Sequence, residues 1–304
     1  MIRTTLHASV ILLLQLAALA AEPEVTAYSP MQASGTIDDR RIVEASGLAR
    51  SHRVPDRLWA LNDGGSGPQL FAFGIDGKAH GSILLNDAAN IDWEDLASFE
   101  QDGRAWLLVA DIGDNEAQRP YCTLYLVEEP VELQDQRLEP NREIRFRYPE
   151  GPRDAEAIAV DAASGSILVL VKRTVPARLY RIALIANDDT PQLAELLGEV
   201  ASLPQPTARD LERALPDKIW HWQPTAMDIS HNGETVMILT YRGAYLFPRH
   251  TGEDWIDALQ RPPVPLDLGD IALAEAAAFG YKDRSIFVTV EGRRPMLYRF
   301  EHKP

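Results

Sequence analysis

The sequence has little cysteine and a shortage of positive charge. The first excludes a fold held by disulfide bonds within the chain, and the second argues against some classes of partner. Cys122 is the one cysteine among 304 residues, so disulfide bonds within the chain cannot staple the fold. Lysine and arginine number 30 against 45 aspartates and glutamates, and the net charge of −15 argues against nucleic acid or an anionic membrane as a partner. Motifs of the GxSxG, HExxH and paired CxxC kinds are missing, as is a phosphate-binding glycine loop.

Long apolar runs are also scarce, and the one at the start resembles a targeting signal. Arg3 precedes the mostly apolar stretch Ala8–Ala18, and small residues follow at Ala18–Ala21, just before Glu22. This pattern predicts a signal peptide over residues 1–21, a single domain over residues 22–304, and export to the periplasm or the medium. The run is too short to span a membrane and no other apolar run replaces it later, so we expect no transmembrane segment. We also expect the protein to be a monomer.

A short segment, acidic in most copies, recurs five times in this domain. The copies are EASGLA at Glu44–Ala49, DWEDLA at Asp92–Ala97, DAEAIA at Asp154–Ala159, QPTAMD at Gln223–Asp228 and LAEAAA at Leu273–Ala278. Successive copies are 48, 62, 69 and 50 residues apart, and further short strand-like runs follow each of them. Units of this kind predict an all-β propeller with four-stranded antiparallel blades. We expect five blades, and six remain possible.

Segments between the repeats complete the prediction of the fold. The last unit supplies three strands, so Ser34–Val43 is expected to close the ring as its fourth. Two short helices are predicted, at Thr207–Leu215 and Glu253–Leu259. The polar stretch Asp135–Asn141 is expected to be a solvated loop.

Acidic residues are predicted to meet at one mouth of the propeller channel. In each blade the innermost strand starts at the end where the second strand finishes, so both sets of residues face the same mouth. Carboxylate oxygens are the ligands that calcium prefers. The candidate ligands are Asp92, Glu94, Asp111, Asp114 and Glu156. The alternative that these residues only cap turns or pair with arginines stays open.

Basic residues follow the second strands of the later blades, which suits an anionic ligand. His221 is the one histidine expected near this mouth, although the tryptophans beside it also allow a packing role. The candidate catalytic residues are Glu94, His221, Lys172 and Arg242. The candidate ligand-binding residues are Arg173, Tyr241, Arg293, Glu275 and Glu291. Pairing of these bases with acids of neighbouring blades is the competing interpretation.

The segments EASGLA and DWEDLA, the strand ends LNDGG and VADIGDN, and the repeat DAEAIAVD resemble secreted bacterial β-propellers of the TolB-like and phytase-like type. The enzymes of the phytase-like type hold calcium with carboxylates at the channel mouth, and the calcium holds phosphate. The resemblance therefore implies Asp92, Glu94, Asp111 and Glu156 as calcium ligands, with Lys172 and Arg242 contacting the anion. The sequence departs from a full acidic ring at Gln223, Thr225 and Leu273.

Two functions follow as expectations. The first is a calcium-binding channel mouth that binds an anionic small molecule and hydrolyses an ester or phosphoester. The second is a non-catalytic module that binds a protein or glycan of the cell envelope. Clustered carboxylates favour the first, and the lack of a recognisable nucleophile favours the second.

Overall fold

Short apolar runs bounded by Gly, Asp and Asn form the strands of this protein, as their composition predicts. The computed structural model describes residues 27–185, 190–213, 222–271 and 273–303. The predicted signal peptide and His221 lie outside these ranges. No helix within them is long and apolar enough to cross a membrane.

Five antiparallel sheets form the blades of a β-propeller. Strand β1 (Gln32–Thr36) comes first in the chain. Blade one contains β2 (Ala45–Arg50), β3 (Arg57–Asn62), β4 (Gln69–Gly74) and β5 (Ala79–Leu85). Blade two contains β6 (Trp93–Gln101), β7 (Arg104–Asp111), β8 (Cys122–Glu128) and, after the short strand β9 (Gln136–Leu138), β10 (Arg142–Arg147). Blade three contains β11 (Ala155–Asp161), β12 (Ser166–Val171), β13 (Ala177–Ala183) and, after the short strand β14 (Gln192–Leu193), β15 (Glu195–Val200).

The remaining strands build blades four and five. Blade four contains β16 (Pro224–Ile229), β17 (Thr235–Thr240), β18 (Gly243–Pro248) and β19 (Val264–Leu266). Blade five contains β20 (Ala274–Phe279), β21 (Ser285–Val290), β22 (Met296–Glu301) and the N-terminal strand β1. The helices are α1 (Ala208–Arg213) and α2 (Trp255–Ala258), with a 3₁₀ turn at Tyr281–Asp283. The prediction of five four-stranded blades is confirmed.

The ring closes at the N-terminus as expected, because β1 pairs antiparallel with β22 and supplies the outer strand of blade five. The closing strand lies earlier than the predicted Ser34–Val43, of which only residues 34–36 belong to β1. Two short outer strands were not expected. The predicted loop Asp135–Asn141 contains β9, which pairs parallel with β5, and β14 pairs parallel with β10. Each adds a fifth strand to the edge of the preceding blade. Segments of two or three residues are too short to show a period of two, so the sequence did not reveal them.

The hydrophobic core is divided among the five interfaces between adjacent blades. Each interface holds one cluster of buried apolar side chains, and the fifth cluster joins blade five to blade one. At the channel axis, the buried carboxylate of Asp95 accepts the backbone N–H of Leu96 and of Ile158 at 2.8 Å, and that of Met227 at 3.3 Å. One side chain thus ties together the inner strands of blades two, three and four.

Candidate functional site

A β-bulge interrupts every inner strand at the same place, the third residue of the repeated segment. In each blade the residues on either side pair with consecutive residues of the second strand, and the residue between them is left over. The bulged residues are Ser46, Glu94, Glu156, Thr225 and Glu275. A bulge re-aims a side chain away from the regular pleat. The fivefold repetition places these five residues as a ring at one mouth of the channel.

The ring contains two hydroxyl side chains and three carboxylates. Ser46 donates its hydroxyl to the carbonyl of Glu94 at 2.7 Å, and Thr225 donates to the carbonyl of Ala274 at 3.0 Å. Both bonds join one blade to the next. Glu94, Glu156 and Glu275 line a cavity of about 190 Å³, the channel-mouth cavity. Its other lining residues are Glu44, Ala45, Ser46, Asp63, Asn115, Lys172, Tyr241 and Glu291.

Carboxylate oxygens converge in two sets that share Glu94. The first set is Asp63, Asp92 and Glu94, and the second is Glu94, Asp154 and Glu156. Within each set the oxygens lie within 4.8 Å of one another, which is close enough for one cation to contact all three.

The two sets differ in how their charge is offset. In the second set, Glu156 pairs with the buried ammonium of Lys172, and Asp154 accepts from Arg173 Nε at 2.5 Å. In the first set, Asp63 accepts the backbone N–H of Gly64, and no ion pair within the described part of the chain involves its three carboxylates. Three clustered carboxylates without a contacting base favour a shared proton or a bound cation.

Burial and mutual repulsion raise the pKa values of the acids at this mouth. Desolvation, followed by the charges of Asp63 and Asp154, raises the pKa of Asp92 to about 6. Burial raises the pKa of Glu94 well above its usual value, with the Asp63 charge adding to the effect. Burial also raises the pKa of Glu275 to about 8 against the opposing effect of Lys172. The site thus destabilises the anionic forms of its own acids when no cation is bound.

Two glycines let the backbone close tightly over the first set. A side chain at Gly64 would collide with the carboxylate of Asp92, and one at Gly113 would collide with the carboxylates of Asp92 and Glu94. These glycines belong to the strand-end segments LNDGG and VADIGDN. Their role at this position is close approach rather than an unusual backbone angle.

Two of the predicted metal ligands lie outside both carboxylate sets. Asp111 is fully buried, accepts the backbone N–H of Asp92 at 3.0 Å and pairs with Arg119 at 2.8 Å. Asp111 pairs with its inner strand at the position that Asn62 holds in blade one. This position is one residue before the one whose side chains line the cavity in the other blades. Asp114 accepts the backbone N–H groups of two following residues and so holds the turn after β7. The structure gives both residues hydrogen-bonding roles behind the cavity.

Some of the predicted basic and aromatic residues line the cavity, and others do not. Lys172 and Tyr241 line the cavity, with the Lys172 ammonium 5.6 Å from the centre of the Tyr241 ring. Arg173 lies beside it and contacts Asp154 and Asn115. Arg242 and Arg293 are exposed and do not line the cavity. Glu275 and Glu291 do line it.

Asp63 and Asp154 belong to the carboxylate sets but not to the predicted ligand set. The signal for both was their position, Asp63 just after a second strand and Asp154 at the start of an inner strand. Asp95 is not among the predicted site residues. Its signal is the third acid of DWEDLA, at a position where the other four copies carry Gly or Ala.

Comparison with known proteins assigns no family to the chain. No sequence-family profile and no curated protein matches the chain. Among solved structures, the PQQ-bound aldose sugar dehydrogenase of Streptomyces coelicolor is 9% identical with a TM-score of 0.49, and the alignment covers 93% of this chain and all of that one. A nidogen/laminin complex is 12% identical with a TM-score of 0.43, and the alignment covers 81% of this chain and 72% of that one. The Cps50 (Swd1) β-propeller domain of Myceliophteria thermophila is 14% identical with a TM-score of 0.39, and the alignment covers 86% of this chain and 67% of that one. The resemblance to TolB-like and phytase-like propellers stays a prediction, and the chain is a five-bladed β-propeller.

Proposed function

We propose that the channel-mouth cavity binds a divalent cation, calcium above all, and that the bound cation holds an anionic small molecule. The carboxylate set Asp63, Asp92 and Glu94 carries this proposal, since its oxygens converge without a contacting base. Hard carboxylate oxygens suit calcium, which accepts six to eight ligands in flexible geometry. The set supplies part of such a shell, and ligand oxygens and water would complete it.

The surroundings of this set support a cation as its occupant. Because Gly64 and Gly113 carry no side chain, the backbone can lie close to the carboxylates of Asp92 and Glu94. The raised pKa values of Asp92 and Glu94 mean that their negative charge is costly in the absence of a cation. A divalent cation would offset that cost directly.

Lys172 and the bound cation would give an anion two points of attachment. Lys172 pairs with Glu156 at the wall of the cavity, and its position leaves the ammonium near both carboxylate sets. In the hydrolytic form of this proposal, the cation would polarise an ester or phosphoester oxygen, and Lys172 would stabilise the developing negative charge. Glu94 would help to hold the cation and would accept a proton from the water that attacks the carbon or phosphorus. The bond to the leaving alkoxide would break, and that alkoxide would take up the proton.

Isothermal titration of calcium into metal-stripped protein tests the binding step. Wild-type protein should bind calcium, and Glu94→Gln should weaken binding by at least about tenfold, because Glu94 belongs to both sets. Glu100→Gln is the matched control, since Glu100 lies at the opposite end of the same strand and is exposed. Absence of calcium binding by the wild type, or equal loss in both variants, would rule the proposal out.

The rival function is a non-catalytic module that binds a protein or glycan of the cell envelope. The rim of this mouth favours it, because Ile91, Val175 and Leu273 expose 61%, 46% and 44% of their surface around the acidic centre. A panel of phosphoesters and carboxyl esters, assayed with calcium, separates the two. Turnover that Glu94→Gln abolishes and Glu100→Gln retains supports the enzyme, and a calcium-binding wild type without turnover supports the module.

A further inference from the structure

A second cavity lies at the edge of the interface between blades two and three, outside the channel mouth. It has a volume of about 280 Å³ and is lined by the segments 119–122, 147–149 and 151–153. We call it the arginine groove. Three of its lining residues are arginines, namely Arg119, Arg147 and Arg153. None of the ten described residues that line it is acidic.

Two polar atoms of the groove are buried and have no hydrogen-bond partner within the described chain. They are the hydroxyl oxygen of Tyr148 and Nε of Arg153. Tyr148 is 4% exposed, and the edges of its neighbours Phe146 and Tyr180 fix its ring, at centroid distances of 5.4 and 4.9 Å. A buried hydroxyl is destabilising when it makes no hydrogen bond, so a hydrogen bond from Tyr148 to a group bound in the groove would be stabilising.

The charge of the groove identifies the chemistry of that partner. Arg119 pairs with the buried Asp111, which fixes its guanidinium at the inner end. Neither Arg147 nor Arg153 forms an ion pair with any described residue. The three arginines of the lining have one acidic ion-pair partner among them, so the residues that line the groove carry an excess of positive charge. Guanidinium groups donate in a planar fork that matches the oxygens of phosphate, sulfate and carboxylate.

We propose that the arginine groove is an oxyanion-binding site, in which Tyr148 and Arg153 donate hydrogen bonds to the anion and Arg119 and Arg147 supply further positive charge. This site is separate from the channel-mouth cavity and needs no divalent cation. Phosphate, sulfate and the carboxylate of an organic acid share the chemistry that it recognises.

Titration calorimetry in calcium-depleted buffer at constant ionic strength tests the site, with phosphate, sulfate and acetate as separate probes. At least one of these anions should bind to the wild type, and the preferred anion separates tetrahedral oxyanions from carboxylates. Tyr148→Phe and Arg153→Gln should each weaken that binding by about tenfold. Arg104→Gln is the charge control, because Arg104 is exposed at the far end of β7.

Tyr148→Phe distinguishes a binding role from a structural one. The hydroxyl makes no hydrogen bond to any residue that the structure describes, so its loss should leave the melting temperature unchanged or raise it slightly while anion binding falls. Failure of all three anions to bind the wild type at millimolar concentration would overturn the proposal. Unchanged affinity in a folded Tyr148→Phe protein would also overturn it. Retained anion binding in Glu94→Gln would separate this site from the channel mouth.

Discussion

Glu94 is the residue on which both carboxylate sets at the channel mouth depend. It lies on the bulge of β6, where the register shift turns its side chain toward the axis. Asp95 follows it immediately and accepts backbone N–H groups from blades three and four. The two neighbouring acids therefore divide their roles, with Asp95 holding the inner strands together and Glu94 facing the cavity.

Gly113, which lies against Glu94, allows a test by a single substitution. Gly113→Ala would place a methyl group on the carboxylates of Asp92 and Glu94, which must then move apart. Calcium affinity should fall by about tenfold or more in titration calorimetry. Gly67→Ala is the control, because a side chain there meets nothing within 4 Å. Unchanged calcium affinity in Gly113→Ala would show that this carboxylate set does not hold the ion.

At the scale of elements, the repeated bulge explains why the sequence predicted the fold better than the site. The strand pattern follows from short apolar runs bounded by turn residues, which are visible in each of the five repeats. The bulge depends on which residue of the second strand pairs with which of the first, and the sequence does not show that register. The sequence alignment therefore puts Asp111 one position away from the place that the strand pairing gives it.

The N-terminal strand gives a prediction about how the ring closes. β1 pairs with β22, and Ser34 on β1 also donates to the carbonyl of Ile75 in blade one. A protein that begins at residue 37 should melt at least about 5 °C lower than one that begins at residue 27. Loss of β1 also exposes the edge of β22, so the shorter protein should self-associate in size-exclusion chromatography. Equal melting temperatures and elution volumes would show that β1 does not close the ring.

At the scale of the whole molecule, the concentration of acids at one mouth links stability to pH. Asp92 has a pKa of about 6 and Glu275 a pKa of about 8, both above the values of about 4 for unfolded chains. A raised pKa means that the folded state binds protons more tightly, so the stabilisation is present at low pH and is lost as pH rises. For Asp92 the loss falls between about pH 4 and 6, and for Glu275 between about pH 4 and 8.

The metal-free protein should therefore melt on the order of 5 °C lower at pH 8 than at pH 5. Calcium should raise the melting temperature at pH 8, where the acids are charged, and have much less effect at pH 5. Differential scanning calorimetry at both pH values, with and without calcium, measures the effect. A calcium shift of equal size at both pH values would contradict the assignment of Asp92 and Glu94 to the cation.

The most direct measurement is a crystal structure of the protein grown in calcium, with the ion identified by its anomalous scattering. We expect one ion in the channel-mouth cavity, about 2.3–2.6 Å from carboxylate oxygens of Asp63, Asp92 and Glu94. Lys172 should remain paired with Glu156 beside it. A fully occupied calcium elsewhere, or a cavity in which these three carboxylates turn apart and hold only water, would contradict the proposal.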